Sequence, residues 1–161
     1  MNIEQAFVKT DNISKVKDVV KKRLNSNPDT SGLQPDVGLP SSYDAILAKE
    51  QKRKIAISEL KDEWVSILES KEVNDYKMLL EISKELNCEV IVIVISDVTG
   101  EWGFSELCSG TVLNSYFSED DDDIEGLIGS KLRDKKIKLP LCMFREVASR
   151  KIAGWSIITK D

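Results

Sequence analysis

One stretch of this chain tolerates few environments: Val90-Ile91-Val92-Ile93-Val94-Ile95. Six β-branched residues in a row favour an extended backbone, because branching at Cβ restricts the side chain in a helix. A half-buried strand alternates apolar and polar residues, and this run does not. It therefore predicts a strand that is covered on both sides or lies centrally under helices. It is much shorter than the roughly 20 apolar residues of a membrane helix. Just before it, WVSILES (Trp64–Ser70) reads as a second strand. KEVNDYKMLLEISKELN between them reads as a helix with Leu79, Ile82 and Leu86 on its core face.

In chain order, residues 3–10 form a plausible first strand around Phe7 and Val8. Asp11 or Asn12 can cap a helix in which Val16, Val20 and Leu24 share a face. Pro28 disfavours helix beyond Asn25. Residues 26–44 carry three of the four prolines and two glycines, which predicts a flexible loop. Residues 44–51 offer one or two helical turns. KIAISEL (Lys54–Leu60) alternates as a strand does. Glu101–Cys108 and Thr111–Phe117 should pair as a hairpin about Ser109-Gly110. Ile124, Leu127, Ile128 and Leu132 mark a third helix, and Pro140 suits the start of a fourth. WSIIT (Trp155–Thr159) is the last strand. The first six elements run β-α-β-β-α-β, the split plan of ferredoxin-like domains. We therefore expect one α+β domain over residues 1–161, with a mainly antiparallel sheet, a ferredoxin-like core, an added hairpin and C-terminal helices.

With 161 residues the chain suits a single domain. The opening residues lack a basic head and apolar core, so no signal peptide is expected. Three widely spaced cysteines, Cys88, Cys108 and Cys142, read as reduced thiols, which implies a cytoplasmic protein. The formal charge of −5 hides a segregation. Residues 71–130 hold 3 basic and 14 acidic side chains, whereas residues 131–161 hold 9 basic and 3 acidic. Such a chain is a poor general nucleic-acid binder.

The absence of histidine removes Ser-His-Asp and Cys-His nucleophiles and histidine metal sites. No glycine-rich phosphate loop opens a helix, and no CxxC spacing marks a zinc site. No catalytic residue, metal or cofactor is therefore proposed, and the expectation is a protein that is not an enzyme.

One cluster invites a functional reading. Glu119, Asp120, Asp121, Asp122 and Asp123 form an unbroken carboxylate run before the third helix. It lacks the ligand order of a calcium loop. Acidic residues at a helix start are also simply favourable to the helix dipole and need no partner. As a binding patch, the run would attract a basic protein surface. Trp102 and Tyr116 on the neighbouring hairpin would be its aromatic anchors, although both also suit a sheet core. The basic stretch Lys131–Lys138 reads first as a wet helix end. It could also pair with the acidic run or with another copy head to tail.

AFVKTDNISKVKDVVKKRL, WVSILES, LLEISKELNCEVIVIVISDV and NSYFS together resemble segments of uncharacterised small bacterial α+β proteins. The resemblance covers about residues 3–118. In size and acidity such proteins are similar in type to the immunity proteins of bacterial toxin systems. It implies non-catalytic binding of a protein with a basic surface, possible self-association, and no nucleic-acid or membrane partner. A small-molecule-binding domain and a structural or oligomeric domain are the alternatives.

Overall fold

The computed structural model describes residues 2–26, 53–71, 74–96, 98–118, 124–149 and 152–160. The expected loop at 26–44, except Ser26, and the turns at 44–51 lie outside the described residues. So does the carboxylate run 119–123.

The described chain is an α+β fold with a seven-stranded, wholly antiparallel open sheet and four helices. The elements are β1 (Asn2–Lys9), α1 (Ile13–Ser26), β2 (Lys54–Ser58), β3 (Trp64–Glu69), α2 (Tyr76–Glu85) and β4 (Glu89–Ser96). They continue with β5 (Trp102–Cys108), β6 (Thr111–Ser118), α3 (Ile124–Asp134), α4 (Phe144–Ala148) and β7 (Trp155–Thr159). The strand order is β6-β5-β4-β1-β3-β2-β7.

The unalternating β4 run has its cause in this order. β4 lies between β1 and β5, and both faces of the sheet carry a core. Val90 and Val92 join Val16, Val20, Met78, Leu79 and Ile82 from α1 and α2 on one face. Ile91, Ile93 and Ile95 join Phe7, Trp64, Ile128 and Ile137 on the other. Successive strand residues point to opposite faces, so burying both requires apolar residues at every position. A third cluster, Ala56, Leu68, Cys142, Phe144 and Val147, extends the second face under α4.

Four helix ends show their local chemistry. Asn12 Oδ1 accepts the Lys15 N–H (3.3 Å) at the start of α1, and Asp75 Oδ1 accepts the Met78 N–H (3.1 Å) at the start of α2. α2 and α3 end alike. Beyond α2, the Cys88 N–H bonds back to Ser83 O and the Asn87 N–H to Lys84 O, with Asn87 left-handed (φ 48°). Beyond α3, Ile137 bonds back to Leu132 O and Lys136 to Arg133 O, with Lys136 left-handed (φ 59°). Both are Schellman stops.

The fourth helix departs from expectation. It starts at Phe144 rather than near Pro140. The cause is Gln5 in the middle of β1, which is fully buried. Its Nε2 donates to Pro140 O (3.0 Å) and Ser66 Oγ (2.7 Å), and its Oε1 accepts the Cys142 N–H (2.9 Å). These bonds hold residues 140–142 to β1 and outside the helix.

Candidate functional site

Two places can be built from the described residues: the β5–β6 hairpin where the acidic run leaves it, and a cleft at the opposite end of the sheet.

At the hairpin, Ser109-Gly110 makes the turn as expected, with φ of 49° and 85°. Trp102 pairs with Ser118 and Phe104 with Tyr116. The two sequence-predicted aromatics thus stand on the α3 side of the hairpin, and Glu119 follows the residue opposite Trp102. Trp102 is half-buried and packs with the second-face core. Tyr116 is exposed and stacks on Phe104 with ring centroids 6.0 Å apart. The Lys131 ammonium sits 5.5 Å from the Phe104 ring centre, within cation–π range. Lys131 also pairs with the buried Glu106. Burial alone would raise the Glu106 pKa, but Lys131 and the Asn114 amide outweigh it and hold the carboxyl below its ordinary value.

The cleft collects the other sign of charge. Its volume is about 750 Å³. Five cations line it: Lys9, Arg133, Lys135, Lys136 and Lys138. Asp62, Glu63, Glu89 and Asp134 line it too. Lys135 is bound to Glu89, which raises its pKa despite partial burial, and Lys138 lies 3.5 Å from Asp62. The Trp64 indole N–H donates to Lys135 O (2.9 Å) and closes the cleft floor. The basic stretch of the sequence is therefore a helix end whose lysines serve carboxylates of β4, β5 and the β2–β3 turn.

A third charged group was not legible in the sequence. Arg53 Nε and Nη2 grip the buried Glu69, and Nη2 also reaches Asp75 Oδ2 (3.0 Å), which accepts from Arg23 Nε (3.1 Å) as well. Burial lifts the Glu69 pKa more than Arg53 lowers it. Asp75 is also pushed up by burial, but the Met78 N–H, Arg23 and Arg53 bring it below its ordinary value. No single-sequence pattern pairs residues 23, 53, 69 and 75.

Among the described residues, no three His, Cys, Asp or Glu side chains are placed to hold a metal ion. No described helix is long and apolar enough to cross a membrane. No protein-family model, curated protein or solved structure matches the chain.

Proposed function

We propose that this is a non-catalytic protein-binding domain of the immunity-protein type, neutralising a toxin or similar partner that presents a basic surface. The binding face is the α3 side of the β5–β6 hairpin together with Glu119–Asp123. The observation that carries the reading is the placement of Trp102 and Tyr116 on one face of the hairpin, with the carboxylate run beginning one residue after the Trp102–Ser118 pair. Aromatic rings beside a charge of one sign suit a surface that steers a partner electrostatically and then anchors it. The strand order β4-β1-β3-β2, with α1 and α2 against one face, supports a ferredoxin-like core that presents this hairpin as an extension.

The test is capture of partners from the source cell by wild type, Tyr116→Ala, and a variant with all four aspartates 120–123 changed to Asn. The reading expects one specific partner whose binding weakens with salt, and more than 10-fold loss in both variants. Equal capture with equal salt dependence in all three proteins would refute it.

The cleft supports a second reading, a small-molecule-binding domain, because its volume suits a metabolite-sized ligand. A thermal-shift screen of anionic metabolites separates the two. A stabilising ligand that Lys136→Ala abolishes would favour the cleft, and a silent screen would favour the hairpin.

A further inference from the structure

We infer that Phe104, Glu106, Asn114 and Tyr116 form a seat for one arginine side chain of the partner, and that Lys131 fills this seat in the unbound protein. This rests on the protein-binding reading and deepens it, by naming a point of contact and the group that must leave it.

The seat follows from the hairpin register. Phe104 stands opposite Tyr116, and Glu106 stands opposite Asn114. Phe104 and Glu106 are two residues apart on β5, so the two cross-strand pairs share the α3 side and lie about 7 Å apart. One pair supplies stacked rings, with centroids 6.0 Å apart and planes inclined by 26°. The other supplies a carboxylate whose Oε2 accepts from the Asn114 side-chain amide (3.3 Å). Glu106 is only 6% exposed, whereas Asn114 and Tyr116 are exposed. The seat therefore has a dry acidic end and a wet side along β6.

Its present occupant fixes the chemistry. The Lys131 ammonium pairs with Glu106 Oε1 and lies 5.5 Å from the Phe104 ring centre. A buried carboxylate left without a cation is strongly destabilising, so Lys131 can leave only in exchange for another cation. That requirement excludes neutral and anionic groups. Of the two basic side chains, arginine is the better fit. Its planar guanidinium is more weakly hydrated than an ammonium, forks onto a carboxylate and stacks on a ring. Lys131 keeps 28% of its side chain exposed, so it has a short path back to water. A partner arginine thus gains both contacts while Lys131 recovers its hydration. The carboxylate run attracts a basic surface from a distance, and the seat reads one residue of that surface on contact.

The experiment is an NMR titration of Lys131→Ala, which removes the occupant and leaves a gap the size of n-propylammonium. The chlorides of n-propylammonium and ethylguanidinium should shift the Asn114 side-chain amide and the Phe104 and Tyr116 ring signals saturably, with ethylguanidinium the tighter. Wild type should need more than 5-fold higher concentrations, n-propanol should have no effect, and adding Glu106→Gln should abolish the response. A Lys131→Ala protein indifferent to both cations, or equally responsive to n-propanol, overturns the seat. Should the alanine variant fail to fold, Lys131→Gln takes its place in the same titration and decides in the same way. In the capture experiment, Lys131→Ala should bind the captured partner more than 5-fold more tightly than wild type does, opposite to Tyr116→Ala. A partner bound no more tightly overturns the exchange. A saturable titration with no partner captured leaves the cation seat standing and refutes the protein-binding reading, and with it the assignment of the seat to a partner.

Discussion

Gln5 shows how one residue can decide the path of a distant segment. It is polar in the centre of a buried strand, and three hydrogen bonds satisfy its amide. Replacing it with alanine leaves the buried Cys142 N–H without its partner, while the carbonyl of the exposed Pro140 can turn to water. A buried orphan costs about 1–3 kcal/mol, so Gln5→Ala should lose roughly that much in urea unfolding. A loss under 0.5 kcal/mol would mean that residues 140–142 are held by something else. Asp75 makes a second residue-scale prediction. Its folded pKa lies below its ordinary value of 3.8, so its contribution is complete above that pH and drains away as pH falls through the folded value. Glu69 has the opposite sign, because its raised folded pKa gives stability that is present below 4.5 and lost as pH rises through the folded value. Asp75→Asn should therefore flatten the loss of stability below about pH 4, measured as urea midpoint against pH, and an unchanged acid limb would refute the assignment. The thiols form a third case. Burial pushes Cys88 and Cys142 up to about 11, so both should react slowly with iodoacetamide at neutral pH. Rapid labelling of either in the native protein would contradict that placement.

At the scale of elements, patterns with a short period were legible in the sequence. The 3.6-residue stripes of α1 and α2 and the unbroken β4 run correspond to what each element touches, whereas β2, whose alternation suggests a half-buried strand, is buried on both faces because Ala56 and Ser58 are covered too. The Ser109-Gly110 turn and the Asn12 and Asp75 caps are equally local. The start of the short α4 was not legible, because it depends on Gln5, more than a hundred residues earlier. Nor was the edge position of β7, since WSIIT looks alike beside any strand. The Schellman stops yield a prediction of their own. Lys136 adopts a left-handed backbone that costs a non-glycine residue roughly 1–2 kcal/mol, partly offset because glycine is freer when unfolded. Lys136→Gly should leave stability equal or raise it by up to ~1 kcal/mol. Lys136→Val should lower it by more than 1 kcal/mol in thermal unfolding, and a tolerated valine would refute the cap.

Across the whole molecule, the two charge blocks of the sequence meet rather than separate. α3 has 11 residues, roughly 16 Å at 1.5 Å each, and its second half and the cleft at its end bring Lys131 and Lys135 onto carboxylates of β5 and β4. The basic stretch already spends Lys131 and Lys135 on Glu106 and Glu89. That arrangement came from tertiary packing and could not be read from charge counts. Of the candidate site, the sequence supplied the aromatics and their neighbourhood, while the cleft needed three loops to converge.

The junction formed by Arg23 and Arg53 on Asp75 has a practical corollary. These arginines stand on either side of residues 27–52, and one carboxylate receives both. The neck of that stretch is thus tied shut by side chains belonging to the folded body. Losing that one carboxylate should therefore release the end of α1 and the start of β2 together rather than one at a time.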